Sequence, residues 1–379
     1  MTQTANRMRS KHFKLGTFSS NCSGGMSITN VPERWKASWD ENLALARMVD
    51  EAGLDFMLPV ARWIGYRGGP SNFQSGVLET MTWAAGLLAS TRNIAVIATV
   101  HAAAFNPVVA AKQIVTLDQI GHGRAGLNIV AGWNKPEFDA LGLNLPDDHE
   151  SRYAHAQEWF DVLKKLWTST EPFDFDGSFF RLRGVWSDPL PFNGLPPIIN
   201  AAGSAQGRAF ATRNADYLFT PAIDLARSAP EIEQLKGAAQ ANGREVEVLT
   251  FSHVVCRPTE AEAKAYLQHY AHDYRDVGTL EEVIALQFAH AHSFPHDLLT
   301  LIKDRFAAGH GGYPLIGTPE QVADGICALH ETGFAGTTLS FVDYVAEFPF
   351  FRDNVLPLLE ARGLRISDTS SARAPALVG

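Results

Sequence analysis

Three cysteines in 379 residues, Cys22, Cys256 and Cys327, lie far apart and form no CxxC pair. That argues against a disulfide framework or a structural zinc site and suits a reducing cytoplasm. No apolar run approaches the roughly 20 residues that span a bilayer. Met1 to Lys14 is polar and mixed, without the apolar core of a signal peptide. Basic runs are also missing and the net charge is −9, which makes nucleic acid and anionic membrane poor partners. The catalytic signatures that can be read locally are absent too. There is no Walker sequence, no GxSxG elbow, no HExxH and no GxGxxG after a strand. Nucleotide hydrolysis, serine-hydrolase chemistry, zinc hydrolysis and a Rossmann-type NAD site lose their usual markers. Metal ligation has one weak candidate, the set His290, His292 and His296, which has no carboxylate pattern around it.

What the chain does have is a large apolar supply and a rhythm. Hydrophobic residues make up 46% and charged residues 19%, enough for a substantial core. Short apolar runs alternate with helical patterns. Strands are expected at 13–18, 54–58, 94–99, 125–130, 197–202, 217–220, 246–256 and 337–342. Helices are expected at 39–52, 78–90, 107–120, 149–168, 204–214, 230–242, 260–274, 318–332 and 350–362. Asp176-Gly177 centres a small hairpin over 173–182 that stands outside the rhythm. Eight strands each followed by a helix favour a (β/α)8 TIM barrel over a doubly wound sheet. Residues 279–316 break the alternation and read as an insertion acting as a lid over the mouth. The expectation is a single domain over 13–363, with flexible tails at 1–12 and 366–379.

In such a barrel chemistry belongs at the C-terminal strand ends. The polar groups found there are Arg62, Thr99, His101, Asn128, Glu137, Asn200, His253 and Asp343. Asn128 stands out, because an amide within the apolar run 125–130 needs partners; a satisfied core amide is the plainer alternative. Gly203-Ser204 opens a helix and could seat a phosphate on free backbone N–H groups. A simple N-cap serine explains the same residues. Arg152 and Tyr153 could reach that anion or form a solvated face. A pocket with few titratable groups, many aromatics and an anion seat suits a barrel whose hard chemistry belongs to a phosphate-tailed organic cofactor.

Several motifs together resemble the bacterial luciferase-like flavin monooxygenase family. They are Asp118-Gln119-Ile120-Gly121-His122-Gly123-Arg124 leading into Leu127-Asn128-Ile129-Val130-Ala131-Gly132-Trp133, then Asn134-Lys135-Pro136-Glu137-Phe138, Arg152-Tyr153, Ala202-Gly203-Ser204 and Ile316-Gly317-Thr318-Pro319-Glu320-Gln321-Val322. Within the family they look like the pyrimidine oxygenases and the dimethylsulfone and alkanesulfonate monooxygenases. The resemblance implies a two-component enzyme that uses FMN as FMNH2, together with O2, to oxidise a small organic substrate. NAD(P)H would act indirectly, through a separate flavin reductase partner. It also implies a homodimer or homotetramer.

By the same resemblance Ala61 and Arg62 contact the flavin ring, and Asn128 and Glu137 bond the ring or ribityl chain. Arg152, Tyr153, Gly203 and Ser204 serve the phosphate end. Thr99 and Asn128 are the expected catalytic pair that positions oxygen, although Thr99 by itself reads as an ordinary β-branched strand residue. Trp63, Phe105, Phe251 and His253 are expected around the substrate. Two departures bear on that substrate. Arg62 replaces a lysine of the pyrimidine oxygenases. Phe251 stands two places before His253, where the alkanesulfonate enzymes have an arginine, so a sulfonate-binding cation is missing there. A heteroaromatic or organosulfur substrate, with C–N or C–S cleavage, is the better expectation. A deazaflavin-dependent oxidoreductase of the same fold and a catalytically silent flavin-binding protein remain the alternatives.

Overall fold

The computed structural model describes residues 6–201, 203–287, 289 and 299–365. The tail expected from 366 onward, residues 1–5 and the set His290, His292 and His296 lie outside the described residues.

In chain order the strands are β1 (Lys14–Phe18), β2 (Phe56–Leu58), β3 (Ala95–His101), β4 (Ala125–Val130), β5 (Phe173–Asp176), β6 (Arg181–Val185), β7 (Ile198–Ala201), β8 (Tyr217–Phe219), β9 (Glu247–Cys256), β10 (Tyr313–Gly317) and β11 (Gly336–Ser340). β5 and β6 form the expected antiparallel hairpin. The parallel order β1-β2-β3-β4-β7-β8-β9-β11 returns to β1 and closes an eight-stranded barrel. The helices α1 (Trp39–Glu51), α2 (Thr80–Ser90), α3 (Pro107–Ile120), α4 (Lys135–Ala140), α5 (His149–Thr168), α6 (Ala205–Asn214) and α7 (Leu225–Ala241) accompany its first half. α8 (Glu260–Gln268), α9 (Val277–Leu286), α10 (Leu299–Gly309), α11 (Pro319–Thr332), α12 (Tyr344–Asn354) and α13 (Leu356–Ala361) follow.

Strand periodicity divides the core into two. Val96, Ala98, Leu127, Ile129, Val248 and Leu339 point outward into the layer beneath the helices. Their neighbours Ala95, Ile97, Ile199, Leu249 and Phe251 fill the barrel interior. Local signals set the helix starts. Ser38 with Glu41 and Thr318 with Gln321 make reciprocal capping boxes on α1 and α11, and Asn106 caps α3 just before Pro107. No helix among the described residues is long and apolar enough to cross a membrane.

Four expectations need correction. Residues 6–12 are not a loose tail. Met8 is fully buried inside the barrel base, and Asn6 Nδ2 donates to Gly123 O at 3.0 Å. Second, 313–316 is not insertion loop but part of β10, which pairs with the C-terminal extension of β9. Pro314 hid it, yet a proline is tolerated on an edge strand. Third, α7 starts at Leu225 rather than Pro230, because Asp224 accepts from Ala226 N and caps it. Fourth, α12 starts at Tyr344, capped by Asp343, and carries Pro349 inside it.

Candidate active site

A cavity opens at the C-terminal ends of the barrel strands. Its wall is largely aromatic and apolar: Phe18, Met26, Val60, Val130, Trp133, Phe219 and Phe251. Its polar groups are Arg62, Gln74, His149, Tyr153, Ser204, Thr220, Gln287 and His310. The strand order sets their places. Met26 and Gln74 follow β1 and β2, across the barrel from Tyr153 and Ser204, which follow β4 and β7.

Thr99 and Asn128 pair in register on β3 and β4. Each points into the barrel, because Ala98 and Leu127 beside them point out. Asn128 Nδ2 donates to Thr99 Oγ1 at 3.2 Å, and that hydroxyl donates to Pro59 O at 2.7 Å. Asn128 Oδ1 is buried without a partner among the described residues. The pair therefore forms a polar step one layer beneath Val130 on the cavity wall.

Arg62 reaches the cavity and is itself tightly held. Its guanidinium lies 3.5 Å from the Glu137 carboxylate, donates to Tyr66 Oη at 3.1 Å and to Gln74 Oε1 at 3.4 Å, and sits near the rings of Tyr66 and Trp133. Glu137 is buried on α4 behind it. The other oxygen of Glu137 accepts from Trp63 N at 2.5 Å and Ile64 N at 2.9 Å. Glu137 thus fixes the loop after β2 and supplies the counter-charge of Arg62 from behind the wall.

Across the mouth, Ser204 caps α6 by accepting from Gly207 N at 3.2 Å. The phenol of Tyr153 interacts with Asn200 and Ser204, and burial pushes its pKa up to about 12. It is a neutral donor at any physiological pH. Gly203, Ser204, Tyr153 and His149 make one end of the cavity polar and hydrogen-bonding.

Several residues expected at the wall stand elsewhere. The guanidinium of Arg152 does not line the cavity; it donates to the carbonyls of Pro146 at 2.5 Å, Asp147 at 2.7 Å and Gly132 at 3.4 Å. It ties the loop after β4 to α5, since a buried guanidinium takes whatever acceptors surround it. Trp63 is 41% exposed and packs at 6.1 Å on Phe105, outside the cavity. Phe105 faces the helical layer, and its carbonyl accepts from Trp159 Nε1 at 2.8 Å. Ala61 lies beside Val60 and Arg62, which line the wall in its place. Phe251 does line it. His253 is buried below, directly under Gly309, where any Cβ would meet the imidazole.

The sequence reading missed Met26, Gln74, Gln287 and His310. The last two come from the insertion, whose α9 and α10 pack Leu280, Val283, Ile302 and Phe306 into the interior cluster above the mouth. A histidine inside the glycine run 309–312 was the available signal for His310. Among the described residues no group of three or more His, Cys, Asp or Glu is placed to hold a metal ion.

Comparison with known proteins agrees with this architecture. The chain is 30% identical over 357 residues to the FMNH2-dependent dimethylsulfone monooxygenase of Pseudomonas fluorescens, covering 93% of this chain and 96% of that one. It is also 30% identical over 372 residues to the pyrimidine monooxygenase RutA of Bradyrhizobium, covering 93% and 98%. Among solved structures, the EDTA monooxygenase EmoA from Chelativorans superposes with a TM-score of 0.81 at 21% identity, over 93% and 94% of the two chains. The model of the luciferase-like monooxygenase family matches residues 13–336, and the chain belongs to that family.

Proposed function

We propose that this protein is a two-component monooxygenase that uses FMNH2 and O2 to oxidise a small organic molecule, with a separate NAD(P)H:flavin reductase supplying the reduced flavin. The observation that carries this is the cavity itself. Among the described residues it has an aromatic wall, one arginine, paired with Glu137, and a hydrogen-bonding seat at one end. An apolar, aromatic pocket with a hydrogen-bonding end suits an organic cofactor that carries the redox chemistry itself. The chain's 30% identity to an enzyme named for its FMNH2 dependence supports the same reading.

The residues fit FMN. Ser204, Gly203 and Tyr153 offer hydroxyls and backbone N–H groups at a helix start for a phosphate. Between that seat and Arg62 the wall is apolar, as a ring system requires. When bound, reduced FMN supplies the electrons that activate oxygen. The protein's part is positional. Arg62, held by Glu137, presents a fixed positive edge to the ring. Thr99 and Asn128 orient oxygen with a carboxamide that keeps a second N–H to donate and that the Thr99 hydroxyl holds in place, groups that neither titrate nor oxidise readily. Phe18, Phe219 and Phe251 keep water out. The insertion serves as the lid. The expected setting is cytoplasmic, as a homodimer or homotetramer acting in catabolism.

The test is to bind reduced FMN anaerobically, admit oxygen, and follow flavin absorbance by stopped flow. Binding of reduced FMN, with reoxidation kinetics distinct from those of free flavin, is the expected result. Reoxidation indistinguishable from that of free flavin would overturn the proposal.

A further inference from the structure

The insertion side of the cavity carries a polar constellation that the proposed flavin seat does not use. His310 follows α10 in a left-handed conformation, φ +52°, which is unusual for a residue with a side chain. Its ring is fixed in place, stacked at 5.9 Å on Phe73 and edge-on at 5.2 Å to Phe306. The Gln287 side-chain nitrogen lies 3.2 Å from His310 Nε2. An amide nitrogen can only donate, so Nε2 is the acceptor and the imidazole proton sits on Nδ1. Nδ1 is buried and has no partner among the described residues. A buried donor left unpaired is costly, and its natural partner is a ligand in the cavity that both residues line.

Charge narrows the ligand class. Arg62 is the only lysine or arginine among the described lining residues, and it is already ion-paired with Glu137 and bonded to Tyr66 and Gln74. Arg305, on α10, donates to Ile223 O at 2.8 Å and does not line the cavity. Burial, and then the nearby Arg62 charge, hold the His310 imidazole down at about 3, so it contributes no cation. Among the described residues on this side, an anion would lose its hydration against Arg62 alone, a cation already paired with Glu137.

We propose that the insertion side of the mouth, built on His310 and Gln287 against Phe18, Met26 and Phe251, is the binding site for an uncharged molecule with a hydrogen-bond acceptor oxygen. His310 Nδ1–H donates to that oxygen and Gln287 fixes the tautomer. This rests on the proposal that the Ser204 end holds the flavin, and it places the substrate across the mouth from that end. It also moves recognition away from Trp63 and Phe105.

Calorimetric titration of the full chain with matched pairs tests this: dimethyl sulfone against methanesulfonate, uracil against orotate, and benzamide against benzoate. The expected result is that a neutral member binds and its anionic counterpart binds at least about tenfold more weakly. Gln287→Leu, nearly isosteric, and His310→Asn, which tolerates the left-handed backbone, should each weaken the neutral probe about 5- to 10-fold. FMN affinity, titrated separately, should change less than about twofold in both. The proposal is overturned if an anion binds as well as its neutral partner, if no neutral probe binds at millimolar concentration, or if both variants bind the probe as wild type does. Failure to bind reduced FMN while probe discrimination persists overturns the cofactor reading alone.

Discussion

Asn128 shows how a single side chain can be committed to two tasks. Its amide nitrogen donates to Thr99 Oγ1, while Oδ1 is buried without a partner among the described residues. A buried polar atom without a partner is costly, and such groups are found at functional sites. Asn128→Ala should therefore cut the reaction of bound reduced flavin with oxygen by about 100-fold, while flavin affinity changes by less than about 1 kcal/mol. Stopped-flow kinetics and anaerobic titration separate the two; equal losses in both would mean that the amide merely shapes the site. Glu137 acts differently. Its side chain and that of Arg62 are 1% and 4% exposed, and it also receives two backbone N–H groups. Glu137→Ala leaves a buried guanidinium unbalanced and should cost about 3–5 kcal/mol in urea unfolding. Glu137→Gln, which keeps an acceptor for the loop, should cost less. A loss below about 1 kcal/mol in the alanine variant would class the pair with ordinary surface ion pairs.

The insertion and the loop after β2 behave as one element. Glu282 on α9 accepts from Arg67 N at 2.8 Å and Gly68 N at 2.6 Å. Asp276, the α9 cap, accepts from Ser71 N at 2.8 Å and from the Thr279 hydroxyl at 2.9 Å. Gly68 and Gly278 meet backbone to backbone, with no room for a Cβ on either. Arg62 and Gln74, both on the cavity wall, flank this clamped stretch, so loosening the clamp is expected to reach the wall. Glu282→Ala should raise amide hydrogen exchange in residues 66–71 and weaken flavin binding, with barrel exchange unchanged. Unaltered exchange in that loop would show that Asp276 and the glycine contact suffice. The sequence made part of this legible. Eight barrel strands showed as short apolar runs because their outer and inner faces are both buried, and Asn128 showed because it interrupts one. β10 was obscured by Pro314, whose missing N–H matters only in a central strand. His310 and Gln287 could not be assigned, because their meeting depends on how α9 and α10 pack against each other. Arg152 looked like an anion ligand, and only the path of the loop from Gly132 to Asp147 shows that carbonyls satisfy it.

At the scale of the whole molecule, the barrel mouth makes stability sensitive to acid. His101, His253 and His310 are held neutral, at about 3, 4 and 3, by burial first and then by the charge of Arg62, or of Arg305 for His253. In the unfolded chain each returns to about 6.5. Between those values the unfolded state binds protons that the native state refuses, so stability is full above about pH 6.5 and is lost as the pH falls towards 4. Each histidine contributes a slope of up to about 1.4 kcal/mol per pH unit. Asp118, Glu247 and Glu347 oppose this at the acidic end. Burial raises their folded values, so the native state takes up protons before the unfolded chain does. The net expectation is a steep fall in urea midpoint between about pH 6.5 and 5 that flattens below. His101→Gln, which removes the imidazole packed edge-on at 5.6 Å against Phe138, should lower that slope by roughly a third whatever it does to stability at neutral pH. A midpoint that stays constant across the window would mean that the three imidazoles reach solvent or gain partners on protonation, and the mouth would then be a wetter and more mobile structure than its packing implies.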